Sequence, residues 1–386
     1  MTATPDHPPH PPHPLTGLKV VELARILAGP WAGQILADLG AEVIKIESAA
    51  GDDTRQWGPP FVTYADGLSD AAYFHATNRG KSSVVIDFQT PEGQAEVRRL
   101  VADSDVLIEN FKVDTLAKYG LDYASLSALN PRLVYCSITG FGQDGPYASR
   151  PGYDFIVQGM SGIMDLTGNP DGPPQKIGVA FADIMTGLYA VIAIQAALAA
   201  RATSGRGEHI DMALFDVMTG VLANQAQNYL VSGQVPRRMG NTHPNIAPYA
   251  VYPTSDGWFI LAVGNDGQFR RFCEAMGLDV MARDARFTGN ALRLEHRAVL
   301  EVLIAEATRL RPRDDLLALL ELAGVPAGPI NSVADAFADP QIVARAMQQQ
   351  FVAPDGQQIA GVRTPIRFKH MALKLGAAAP RLGGDD

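Results

Sequence analysis

The sequence predicts an α/β protein: a doubly wound, mainly parallel, Rossmann-like large domain plus a smaller α+β domain. Three observations lead there. Apolar, β-branched runs alternate with helical segments along the N-terminal part of the chain, the pattern of βαβ units and a parallel sheet. Turn residues and short aromatic strands take over after about residue 237. With 386 residues, the chain is long enough for two cores.

The first βαβ unit is the strand "LKVVELA" (18–24), the helix "GPWAGQILADLG" (29–40), closed by glycine, and the strand "AEVIKIE" (41–47). A second follows in "SSVVIDF" (82–88), the helical "TPEGQAEVRRLVADS" with Pro91 near its first turn, "DVLIEN" (105–110) and "RLVYCSITGFG" (132–142). The apolar run 184–200 reads as a buried helix of a soluble core, since it is short for a membrane span and holds Gln195. Residues 207–233 read as strand then helix, 237–265 as short strands, about 267–323 as helical, and the end of the chain as strand-rich. The expected organisation is a disordered tail over 1–14, a large domain over 15–224, a small domain over 225–330, and a segment, 331–386, that returns to the large domain. Ligands of an open α/β sheet bind beyond the carboxyl ends of its strands. Site residues are therefore expected in the loops after "VVELA", "VIKIE", "VLIEN" and "YCSITG".

Composition narrows the class. An apolar fraction of 47% and a charged fraction of 19% are those of a soluble globular protein. A formal charge of -9 argues against a broad nucleic-acid-binding face and leaves room for local phosphate pockets. Cys136 and Cys273 have no Cys or His neighbours at ligand spacing, so a reducing, cytoplasmic location is expected, with no disulfide framework and no metal site. The opening "MTATPDHPPHPPHP" lacks the regions of a signal peptide, and its His7, His10 and His13 read as part of a proline-rich tail. The first βα turn, "ARILAGPWAG", holds Gly29 and Gly33 but no G-x-G-x-x-G, and no Walker loop, G-x-S-x-G or H-E-x-x-H occurs in the chain.

One acidic residue stands out. Asp183, in "KIGVAFADIMTGLYA", lies at the mouth of the apolar helix. It reads either as an N-cap, accepting backbone N–H bonds, or as a carboxylate kept ionised by the helix start and available as a nucleophile.

Eight ordered stretches resemble family III CoA-transferases: "GLKVVELARILAGPWAGQILADLGAEVIKIE", "GDDTRQWGPPF", "NRGKSSVVIDF", "DVLIENFK", "YCSITGFGQDGP", "RPGYDFIVQGMSGIMDLTG", "GVAFADIMTGLYA" and "GVPAGPIN". The resemblance implies that Asp183 is the catalytic carboxylate, attacking an acyl-CoA to form a mixed anhydride and then an aspartyl-CoA thioester. It implies cofactor contacts from Arg25, Leu27, Ala28, Asn78, Arg79, Lys81, Asn110, Phe111, Lys112, Lys118, Tyr153 and Asp154. CoA and acyl-CoA are then substrates, with no tightly bound cofactor. The expected partners are acyl-CoA and small carboxylic acids, with no nucleic acid and no membrane, and the resemblance implies an interlocked homodimer, with which linkers around 201–235 and 326–345 are consistent.

Departures from the family pattern matter. Some formyl-CoA transferases carry Gln at Leu27 and Arg at Ser48, and "NFKPG" reads "NFKVD" here, so part of the phosphate grip is expected from Arg55. "GYD" replaces the racemases' "GHD", and Tyr153 is a poor proton shuttle near neutral pH. "GNTHPNIAPY" supplies Gly240, Asn241 and His243 as acid contacts and looks most like the succinyl-CoA:hydroxymethylglutarate, or dicarboxylate, branch. An α-methylacyl-CoA racemase, a formyl-CoA:oxalate-type transferase and a non-catalytic acyl-CoA-binding protein are the alternatives.

Overall fold

The computed structural model of the chain describes residues 12–384. Six strands, β1 (Lys19–Glu22), β2 (Glu42–Glu47), β3 (Ser82–Val85), β4 (Val106–Glu109), β5 (Val134–Thr139) and β6 (His209–Ala213), form one sheet in the order β3-β2-β1-β4-β5-β6. Every pairing in it is parallel. The strand order reverses between β1 and β4, which opens a crevice above their carboxyl ends.

Burial alternates along the strands as a pleated sheet requires. Val20, Ile108 and Cys136 join one core cluster, while Val21, Leu107 and Tyr135 join another on the opposite face. Helix α1 (Ala28–Asp38) packs its Ala32, Ile35 and Leu36 into the first cluster. Helix α2 (Pro91–Ala102) covers the other with Val97 and Val101, and starts at a Thr90 cap that accepts the Gly93 N–H. Two further helices complete the site-bearing face, α3 (Asp154–Met160) and α4 (Phe181–Ser204).

The contacts divide the chain into two units. Among the described residues the first holds 12–164, 176–235 and 340–384, and the second 165–175 and 236–339. The second has an antiparallel sheet, β9-β8-β7, of β7 (Tyr249–Pro253), β8 (Trp258–Ala262) and β9 (Ala327–Pro329), packed on helices through Phe259, Phe272, Leu300 and Leu316. In the first unit the C-terminal hairpin of Gln348–Val352 and Gln358–Val362 packs Phe351 and Ile359 against Tyr64.

These divisions differ from the sequence reading at three places. Residues 165–175 go with the second unit, where Arg238 reaches Asp165 at 2.8 Å. Helix α5 (Ala223–Ser232) stays with the first, and the second unit runs on past residue 330 to Asp339. The segments read as linkers contain β6, an edge strand of the main sheet, and the Ser332–Asp335 capping box. Of the expected tail, residues 1–11 lie outside the described residues. Pro12 to Pro14 are folded, with the Pro12 carbonyl accepting the Ala372 N–H and His13 Nδ1 3.1 Å from the Ala372 carbonyl.

Helix α4 corrects another expectation. It is long and apolar enough to cross a membrane by length and composition. Only one stripe of it is buried, through Ala182, Thr186, Gly187, Ala190 and Ile194, while Leu188, Tyr189 and Ile192 are exposed.

Candidate active site

A cavity lies in the crevice, where the strand order requires it. It has a volume of about 350 Å³ and is walled by Arg25 to Ala28 after β1, Asn110 to Val113 after β4, Thr139 and Gly140 at the end of β5, and Arg150 to Asp154 leading into α3. Asp183 also lines it. Two loops of this wall touch backbone to backbone at Gly140 and Gly152, where a Cβ on either residue would meet the other's main chain.

Asp183 is the third residue of α4, and its carboxylate has no hydrogen-bond partner among the described residues. The cap reading therefore fails. The Ala182 N–H is taken instead by Asp154 Oδ1, at 2.7 Å from the first turn of α3. Asp154 Oδ2 accepts from Gln158 Nε2 at 2.8 Å, and Gln158 Oε1 accepts the Ile177 N–H at 2.9 Å. A neighbouring helix thus satisfies the start of α4 and leaves Asp183 unspent. Burial, and secondarily the Asp154 charge, push the Asp183 carboxyl up to about 7.

The wall residues have distinct duties. Asn110 spends its amide on Arg25, accepting its N–H at 2.9 Å and donating to its carbonyl at 2.7 Å, so it shapes the loop. The Arg25 side chain is half exposed and pairs with Asp53 at 2.9 Å. Lys112 is exposed at the rim with no ion-pair partner among the described residues. Phe111 stands edge-on to Phe88 at 5.5 Å. Arg25 and Phe111 also border a second cavity of about 300 Å³, lined by Leu23, Ser48, Asp87 and Phe88. Leu27 is buried at the start of α1, and Ala28 follows it. Tyr153 is exposed and borders the Asp183 cavity.

Four expected cofactor contacts are corrected. Arg55 is buried in a fork to Glu47 at 2.6 and 2.9 Å, bonds Asp70 at 2.8 Å and lies over Phe74, so it has no reach for a phosphate. Arg79 is paired with Asp38 at 2.5 Å. Lys81 is buried between Glu22 at 2.8 Å, the Pro30 carbonyl and Asn78 Oδ1, and burial holds its ammonium down at about 8. Asn78 is fully buried and donates to the Phe74 carbonyl. A buried cation of this kind is retained by its partners, because leaving one charge unpaired costs several kcal/mol, about 3–5. These residues hold the scaffold. Lys118 is exposed in the turn Leu116–Tyr119 and does not line the cavity.

Gly240, Asn241 and His243 lie in the second unit. Gly240 has a left-handed φ of 59°, Asn241 lines a separate cavity there of about 490 Å³, and His243 packs on Tyr249 while its Nδ1 accepts the Asn245 N–H.

The sequence reading missed two residues. Arg150 lines the cavity with its guanidinium over the Tyr147 ring at 3.9 Å; its position directly before "PGYD" was the available signal. Tyr73 stands edge-on to Trp57 at 5.4 Å, and burial followed by the Asp183 and Asp154 charges raises its phenol. No local pattern marks it.

A model of CoA-transferase family III matches residues 15–386. The succinate--glutarate CoA-transferase of Agrobacterium fabrum is 60% identical over 371 residues, covering 96% of this chain and 93% of that protein. The human succinyl-CoA:glutarate CoA-transferase is 36% identical, covering 99% and 86%. A crystal structure of a CaiB/BaiF family protein from Brucella suis superposes with a TM-score of 0.87 at 63% identity, covering 97% of each chain. Matched along nearly all of its length in sequence and in fold, the chain belongs to CoA-transferase family III.

Proposed function

We propose that the protein moves CoA from succinyl-CoA to a dicarboxylic acid, with glutarate the first acceptor to test, and that Asp183 carries the group in transit. One observation carries the reading: an unpartnered carboxylate, pushed up to about 7 by burial, faces the cavity at the switch point of the sheet. The names of the relatives support the choice of acids.

The steps balance without any further reagent. An Asp183 oxygen adds to the thioester carbonyl and the C–S bond breaks, giving a mixed anhydride and CoA thiolate. The thiolate attacks the Asp183 acyl carbon, the bond from that carbon to the bridging oxygen breaks, and succinate leaves an aspartyl-CoA thioester. The acceptor carboxylate attacks this thioester and expels thiolate, forming a second anhydride. Thiolate attack on the acceptor's acyl carbon then releases the new CoA ester and restores the Asp183 carboxylate. Acyl exchange between carboxylate and thiolate conserves the thioester's energy, provided that water is kept from the intermediates.

CoA thioesters are substrates in this reading, with no resident cofactor. Lys112 and Arg150, both exposed at the rim, meet the phosphates, and Phe111 borders the adenine end. The Lys112→Ala/Arg150→Ala double variant is expected to raise KM for succinyl-CoA about tenfold or more, with a smaller change in kcat. An unchanged KM in initial-rate kinetics removes both from the phosphate grip. The decisive assay for the whole reading is a donor and acceptor matrix followed by CoA-ester chromatography. Exchange confined to monocarboxylates defeats the dicarboxylate assignment.

The protein acts as a homodimer in this reading. Exposed apolar side chains on α3 (Phe155, Ile156), α4 (Leu188, Ile192) and α5 (Leu230, Val231) support a partner surface on the first unit. Sedimentation is expected to return twice the chain mass; a monomer at micromolar concentration contradicts it. Two free, buried cysteines are consistent with a reducing, cytoplasmic setting.

A further inference from the structure

The loop between β1 and α1 carries a backbone outlier in the cavity wall. Ile26 sits at φ 72°, the left-handed region that β-branched side chains avoid. Such a conformation persists only where the surroundings over-determine it. On one side, Asn110 grips both backbone groups of Arg25. On the other, Asp52 accepts the Ile26 N–H through both oxygens, at 3.2 and 3.3 Å.

Asp52 is itself held. It is 1% exposed, and Lys45 Nζ lies 2.9 Å from it with both side chains fully buried. It accepts the Thr54 N–H at 2.9 Å and the Thr54 hydroxyl at 2.7 Å, while its own N–H donates to Glu47. Neither Asp52 nor Lys45 lines the Asp183 cavity, though Asp52 borders the second one, whereas Arg25, Ile26, Leu27 and Ala28 form one side of the first. That wall abuts the nucleophile's helix: the Ala28 carbonyl lies so close to Gly187 that a Cβ there would stand 2.7 Å from it.

We propose that Asp52 is a positioning residue of the transferase: its buried pairing with Lys45 holds Ile26 left-handed, and that strained turn sets the Arg25–Ala28 wall against the helix bearing Asp183. The inference rests on the reading of this cavity as the transfer site. A carboxylate paired with an ammonium is a stronger and better-fixed acceptor for a strained N–H than a neutral amide, so the charge has a mechanical use.

Glycine takes a positive φ without help, which supplies the test. Succinyl-CoA to glutarate exchange is measured for the wild type, Asp52→Asn, Ile26→Gly and the double variant. Asp52→Asn is expected to lose roughly tenfold to a hundredfold in kcat. In the Ile26→Gly background Asp52→Asn is expected to cost less than about threefold in kcat, so the two losses do not multiply. Losses that simply multiply overturn the inference. Should Asp52→Asn fail to fold by circular dichroism, Ile26→Gly against Ile26→Ala decides. Relief of a left-handed strain requires the glycine variant to melt higher and turn over faster than the alanine one, and equality or the reverse order overturns the clamp. A wild type that exchanges CoA with no acid tried strikes instead at the reading of the cavity.

Discussion

The Asp183→Asn substitution is expected to lower kcat by about a thousandfold or more in a folded protein, because an amide is a far poorer nucleophile than a carboxylate and no other described carboxylate with a free face shares the cavity. Asp154, its neighbour there, has both oxygens engaged. Hydroxylamine trapping with mass spectrometry is expected to mark Asp183 in the wild type and nothing at that position in the variant. Normal turnover by the variant ends the assignment.

The same carboxyl makes two pH predictions. The nucleophile is the ionised form, so kcat/KM of the wild type rises as pH increases through about 7. Stability moves the other way. A folded value of about 7 lies above the unfolded value near 4, so the contribution is complete below about pH 4 and is lost as pH rises through about 7. The Asp183→Asn variant is therefore expected to be more stable than the wild type at pH 8, by roughly 2–4 kcal/mol, and little different at pH 4. Thermal melts at the two pH values check the sign. A variant that melts lower at pH 8 shows that the charge is stabilised in place, contrary to its desolvation.

The Gly187→Ala substitution is expected to cost about 1–3 kcal/mol of stability and roughly tenfold or more in turnover, though the residue carries no functional group. Gly187 sits one helical turn beyond Asp183, on the same face of α4. An added Cβ would stand 2.7 Å from the Ala28 carbonyl and 3.0 to 3.2 Å from Trp31 side-chain atoms. Backbone is the part that must yield, so α1 moves back and takes Leu27 and Ala28 out of register with the nucleophile. Assay well below the melting temperature separates this from simple unfolding. Full activity there means that the wall tolerates displacement.

Alternation of β-branched runs with helical segments was enough to anticipate the six strands of the main sheet, because a period of two or 3.6 is written locally in the chain. A crevice beyond the strand ends followed from the doubly wound pattern, and Asp183 stood out as an acid at the head of an apolar helix whose role the family resemblance implied. The fate of the cations did not follow. Arg55, Arg79 and Lys81 look in sequence like Lys112 and Arg150, but Glu47, Asp38 and Glu22 reach the first three through the fold and remove them from solvent. Whether Asp183 caps its own helix was equally open, until α3 brought Asp154 to the Ala182 N–H. The chain by itself determined the elements and their order. Only the tertiary structure decided which charges are spent on each other and which face the cavity, because desolvation and pairing depend on neighbours that the sequence separates by tens to hundreds of residues.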